Sequence, residues 1–133
     1  MKSNQLPTGK IILYKNKVDV RLDHETVWLN LNQIAQIFER DKSVISRHLQ
    51  NIFKSKELER KSTVAFFATV QNEGGHSVER KIEYFNLDVI ISLGYRVNSK
   101  RGTQFRIWAT NVLKQHLIKG YTINEKRLTS TGG

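Results

Sequence analysis

The stretch from Leu29 to Phe53 constrains the fold more than any other, because two short amphipathic patterns follow one another there across a brief polar break. Ile34, Ile37 and Phe38 recur at helical spacing with the small residue Ala35 among them, which predicts a helix over Leu31–Phe38 that a second helix crosses closely. After Glu39-Arg40-Asp41-Lys42, the residues Ile45, Leu49 and Ile52 stand at i, i+4 and i+7 and form one buried stripe. Asp41 is the expected N-cap of that second helix, since its carboxylate can accept from the free amides of a first turn. The opposite face carries Ser43, Ser46, Arg47, Gln50 and Lys54. Such a pair of helices is a helix-turn-helix, and a face of that composition suits base edges and phosphates in a major groove. A surface helical hairpin with a merely solvated polar face produces the same pattern. In the turn, Glu39 and Arg40 stand where many such motifs have Gly and an apolar residue, which sets a carboxylate beside the expected phosphates.

The flanking segments read mostly as strands. Lys10–Tyr14 and Val18–Leu22 have hairpin spacing, and the second alternates Val18, Val20 and Leu22 with Asp19, Arg21 and Asp23. Thr26–Leu29 is a brief strand leading to Asn30 or Asn32 as the cap of the first helix, with Trp28 as a core anchor. Beyond the central motif, Lys54–Lys61 is charged and ends the helical pattern. Thr63–Val70 and Val78–Phe85 form a β-hairpin about the reversal Gln71–His76. In a winged helix-turn-helix a hairpin at this place reaches the neighbouring groove or backbone, with Lys61, His76, Arg80 and Lys81 as the contacts; the plainer role is to cover the core.

Asn86 is the expected cap of an apolar helix with Asp88 in its first turn, ending near Gly94. Ser99-Lys100-Arg101-Gly102-Thr103 reads as a basic loop suited to a phosphate or a helix cap, without the spacing of a nucleotide-binding P-loop. Gln104–Lys119 is the longest predicted helix, closed by Gly120, with residues 121–128 as a further short helix or exit. A loose arm over residues 1–9 and an unstructured tail over 129–133 flank one domain, residues 10–128. The expected fold class is therefore α+β: N-terminal β-hairpin, central helix-turn-helix, β-hairpin wing and C-terminal helices.

Composition narrows the partners. Lys and Arg number 22 against 12 Asp and Glu, a formal charge of +10, and +7 of it falls between Arg96 and Arg127. An excess of that size favours anionic partners. The chain has no cysteine, so no thiolate site or disulfide is available, and a cytoplasmic location is expected. No apolar run has the length of a membrane span, and Met1–Pro7 has no signal-peptide core.

Catalytic and metal motifs are missing. His24, His48, His76 and His116 fall on four different predicted elements, and the carboxylates Asp19, Asp23 and Glu25 alternate as ordinary surface groups. There is no Gly-x-Ser-x-Gly elbow, P-loop or dinucleotide fingerprint. The chain is expected to be no enzyme and to need no cofactor or metal.

The run Val44-Ile45-Ser46-Arg47-His48-Leu49 resembles the second helix of many bacterial helix-turn-helix repressors. On a larger scale, Val20-Arg21-Leu22, Glu25–Leu29, Asn51-Ile52-Phe53 and above all the block Tyr84–Thr110 make Lys10 to about Leu128 resemble the N-terminal region of the RhuM-like virulence-protein family, whose members occur in pathogenicity islands and mobile elements. That family name records genetic context and implies no agreed activity; its members are usually longer, so a truncated copy or a stand-alone domain is implied. The C-terminal block is also similar in pattern to N-terminal domains of phage antirepressors of the Bro and KilA type.

Taken with the residues, this gives a transcriptional regulator that binds double-stranded DNA. Ser43, Ser46, Arg47 and Gln50 are expected to face the groove, and Lys42, Lys54, Arg96, Lys100 and Arg101 to hold phosphates. A homodimer is expected, with the helix Gln104–Lys119 as its interface. The alternative is an antirepressor-like module that binds a repressor or host protein and leaves DNA alone. A third is a targeting domain for a catalytic region lying elsewhere in a longer protein.

Overall fold

A computed structural model describes residues 9–132 of the chain, with side chains through His116. The expected arm, Met1–Gly9, lies outside the described residues except for Gly9. In order the elements are β1 (Lys10–Tyr14), β2 (Val18–Asp23), β3 (Thr26–Asn30), α1 (Leu31–Phe38), α2 (Lys42–Lys54), α3 (Arg60–Thr63), β4 (Val64–Glu73), β5 (His76–Asn86), α4 (Leu87–Arg96) and α5 (Lys100–Gly132). The fold is mixed α+β: a five-stranded antiparallel sheet in the order β1-β2-β3-β5-β4, with five helices among the described residues.

The first three strands are joined by turns in which both central residues are left-handed, Lys15 and Asn16 at φ 54° and 54°, then His24 and Glu25 at 49° and 61°. Turns of that hand match the twist of paired strands. Alternation along β2 sends Val18, Val20 and Leu22 to the face that the helices cover, where they join Val27, Leu29, Ile34, Phe38, Ile45, Ile52 and Phe85 in one core. The other face of the sheet holds a smaller aromatic cluster. There Trp28 is buried, its indole N–H donating to the Asp23 carbonyl at 2.9 Å, and it meets Phe67 edge-on at 5.7 Å. Phe67 in turn meets Tyr84 at 5.2 Å, and the Arg21 guanidinium lies 4.4 Å from the Phe67 ring centre.

The second hairpin is longer than its sequence pattern predicts. Gly74 and Gly75, at φ 57° and 81°, close it in a two-residue turn, and pairing runs unbroken from Glu73↔His76 to Val64↔Phe85. The central sheet holds it by little: β3 meets β5 only at Trp28↔Asn86, Leu29↔Phe85 and Asn30↔Tyr84. From the tip to Ile82 the hairpin is a two-stranded ribbon with no third strand among the described residues.

The last two helices correct the sequence reading in two places. Lys100 and Arg101 lie in the first turn of α5, not in a loop, and Ser99 caps it: its hydroxyl oxygen accepts from the Gly102 amide at 3.2 Å. The bounds of α5 pass through Gly120, the expected stop, and extend to Gly132 across residues expected as a separate helix and tail. Gly94 and Gly102 serve packing. A methyl group on Gly102 would stand 3.2 Å from Gly94 Cα and 3.3 Å from the Phe38 ring, so α4 and α5 cross backbone to backbone beneath the end of α1. Gly102→Val is therefore expected to destabilise the fold by about 1–3 kcal/mol through overpacking, read as a lowered denaturation midpoint at an unchanged m-value.

Candidate nucleic-acid interface

The helix pair is set by its caps. Asn30 ends β3 and starts α1 in a capping box: its side chain accepts from the Gln33 amide at 2.9 Å while Gln33 Oε1 accepts from the Asn30 amide at 2.9 Å. Glu39 closes α1 in the left-handed region, at φ 52° and ψ 50°, the conformation that glycine adopts more cheaply at such a helix end. Asp41 then caps α2, accepting from the Ser43 amide at 3.1 Å and from the Ser43 hydroxyl. Those two hydrogen bonds hold the Asp41 carboxyl below the ordinary aspartate range. Ile45, Leu49 and Ile52 are buried as the stripe requires.

The residues expected to face a groove divide. Arg47 and Gln50 are exposed on α2, with Lys42 and Lys54 exposed at its two ends. Ser46 is half-buried on the flank of the helix. The Ser43 hydroxyl turns back to Asp41 and belongs to the cap.

Ser46 and Gln50 border a cleft of about 490 Å³ between α2 and the second hairpin, whose other walls include Asn30, Asn32, Arg60, Gln71 and Glu83. The hairpin thus stands across an open space from α2. Of the expected hairpin contacts, Lys61 lies on α3 and not on the hairpin; it, His76 and Lys81 are exposed, whereas Arg80 is engaged by Glu73 in a two-point pair at 2.7 and 3.0 Å. Arg60 is paired with Glu83 and lies 4.9 Å from the Phe53 ring centre.

The expected phosphate anchors gather at opposite ends of α2. Arg101 reaches Glu39 at 3.2 Å, and Lys100 precedes it on the same exposed turn. Arg40 donates to the Val97 carbonyl at 3.5 Å, and the β1–β2 turn brings Lys15 and Lys17 to the same hollow as Glu39 and Arg101. Sequence reading passed over Lys15, Lys17 and Arg40; their signal was a pair of lysines in a turn, with nothing local to say which helix the turn would meet. At the other end Arg96 donates to Glu57 at 2.7 Å, and Glu57 also accepts from the Ser92 hydroxyl. The Ser92 and Arg96 hydrogen bonds hold the Glu57 carboxyl below its ordinary value. Among the described residues no three acidic, His or Cys side chains group as metal ligands, and no helix is long and apolar enough to cross a membrane.

Residues 62–133, more than half of the chain, match the family model described as the virulence protein RhuM family. The chain belongs to that family. Neither a curated protein nor a solved structure matched it in the same comparisons.

Two outcomes are expected of the acids that hold these cations. Glu39→Gly relieves a left-handed non-glycine residue and should raise stability by about 0.5–1 kcal/mol despite loss of an exposed ion pair, seen as a higher unfolding midpoint. Because the folded-state carboxyl of Glu57 titrates low, its stabilisation is present above the ordinary glutamate range and is lost as pH falls through the lowered value. Melting curves of wild type and Glu57→Gln should accordingly differ at neutral pH and converge in acid.

Proposed function

We propose that this chain is a non-enzymatic DNA-binding protein, a transcriptional regulator of a mobile element or pathogenicity island, that lays α2 in the major groove of duplex DNA. The observation that carries the reading is the outer face of α2, where Arg47 and Gln50 are exposed and Lys42 and Lys54 are exposed at the ends while the apolar stripe is buried. Arg and Gln are the side chains that make paired hydrogen bonds to guanine and adenine edges. Lys15, Lys17, Arg40, Lys100 and Arg101 would meet phosphates beside the start of α2, and Lys54 and Arg96 beside its end.

A winged arrangement is supported by topology: β3, the helices α1 and α2, the single turn α3 and a hairpin follow one another, and the second hairpin strand returns beside β3. The hairpin would then act as the wing, with His76 and Lys81 toward the backbone and Lys61 before it on α3. The looser similarity of the C-terminal block to Bro and KilA-type antirepressor domains points the same way.

One observation favours a protein partner instead. β5 from His76 to Glu83, which borders the cleft at Ile82 and Glu83, has an edge that no described strand occupies, so an extended segment of a repressor or host protein has backbone groups to pair with there.

Anisotropy titrations against random duplex and against DNA flanking the gene, over a salt series, separate the readings. DNA binding should weaken by about a thousandfold or more between low and physiological salt if six to ten phosphates are contacted. Arg47→Ala should cost about 1–3 kcal/mol on the preferred duplex and narrow its advantage over random DNA. Weak binding, equal on both duplexes and indifferent to Arg47→Ala and Gln50→Ala, would overturn the DNA reading in favour of the protein partner.

A further inference from the structure

We propose that β4 is a self-association edge, on which a second copy of this chain pairs antiparallel through its own β4 to make one sheet across a two-fold axis. The inference stands apart from DNA binding and holds whether or not α2 enters a groove.

β4 is the last strand of the sheet, so one side of Val64–Glu73 is unpaired among the described residues. Edge strands are ordinarily blunted by a lysine, a proline, a bulge or brevity. This one runs ten residues without a bulge, and Val64-Ala65-Phe66-Phe67-Ala68-Thr69-Val70-Gln71-Asn72 contains neither charge nor proline. Its two large apolar side chains on the helix side, Phe66 and Val70, are 62% and 72% exposed. Among the described residues the ribbon to which it belongs has no third strand beyond Ile82, and a two-stranded ribbon alone is marginal in water.

The geometry selects the occupant and the register. Across the Gly74-Gly75 turn, Glu73 and His76 form the hydrogen-bonded closing pair, and such pairs recur at every second residue. Thr69, Phe67 and Ala65 therefore spend their amides and carbonyls on β5. Val64, Phe66, Ala68, Val70 and Asn72 direct theirs to the open side.

A two-fold centred on Ala68 sets those same residues against one another: Ala68 opposite Ala68, Phe66 opposite Val70, Val64 opposite Asn72. Five pairs exchanging two bonds each give about ten new hydrogen bonds. Each exposed Phe66 is covered by the Val70 of the other copy, and the smallest side chain meets itself at the axis. No like charges oppose one another on the paired strands, although the chain as a whole carries +10. A charged peptide would find no counter-charge on this edge; a second β4 finds its own complement.

The chain has no cysteine, so single cysteines report the register cleanly. At the axis the two Cα atoms would lie about 5.5 Å apart, within disulfide reach, whereas the two Phe66 positions would be about 14 Å apart. Sedimentation across a concentration series, with mild oxidation of Ala68→Cys and Phe66→Cys, tests the proposal. The expected result is a concentration-dependent dimer in which Ala68→Cys cross-links and Phe66→Cys does not. Ala68→Pro removes an outward amide only and should weaken dimerisation by at least about tenfold with an unchanged circular dichroism spectrum. A monomer at every concentration would overturn the proposal. So would a dimer in which Ala68→Cys fails to cross-link, or in which both cysteine variants cross-link alike.

Discussion

Three rungs hold this fold together. Trp28, Leu29 and Asn30 of β3 pair with Asn86, Phe85 and Tyr84 of β5, and among the described residues no other pairing connects the N-terminal strands to the second hairpin. Both strands end there in an asparagine that starts a helix: Asn30 caps α1, and the Asn86 side chain accepts from the Val89 amide at 3.3 Å to cap α4. The same short ladder therefore joins the two parts of the sheet and sets the launching points of α1 and α4 two rungs apart. Leu29 and Phe85, its central pair, are both buried in the helix-side core. α2 takes its position from this join through α1, and α5 through α4.

What could be read in the sequence is what local chemistry decides. The bounds of α1, the Asp41 cap and the Ile45, Leu49, Ile52 stripe follow from periodicity and capping alone, and the structure has them. The alternation of β2 and the Asn86 cap were legible for the same reason. The errors lie where a distant segment decides. Gly94 and Gly102 look like a helix end and part of a basic phosphate or capping loop, yet each is small because the other, with Phe38, packs against it. Lys100 and Arg101 look unsuited to a helix start, where the backbone dipole disfavours cations; Ser99 and the crossing at Gly102 hold the helix there regardless. Trp28 is an anchor as expected, but on the face of the sheet away from the helices, which its own strand pattern does not specify.

The outer face of α2 was legible, and the arrangement of the cations around it was not. Arg47 and Gln50 needed only the helical period to be placed. Which cations are free is a tertiary matter: Arg96 is held by Glu57, Arg101 by Glu39 and Arg80 by Glu73, while Lys15 and Lys17 arrive from a turn many residues away. Glu39 illustrates both levels. As a sequence letter it is a stray negative charge in a turn; in the structure it is the left-handed residue that ends α1 and the partner that orients Arg101.

The three-rung join also dictates an order of events during folding. The β4–β5 ribbon closes on a two-residue turn and involves only near neighbours in the chain, so it can zip within microseconds. Pairing Leu29 with Phe85 instead closes a loop of more than fifty residues, and the entropy of that closure makes it a late step. For an interval each new chain holds a ribbon that is only marginally formed, with its uncharged edge and Phe67 uncovered, before Trp28 and the N-terminal strands have docked. A newly made chain is in that interval most open to pairing with the wrong neighbour.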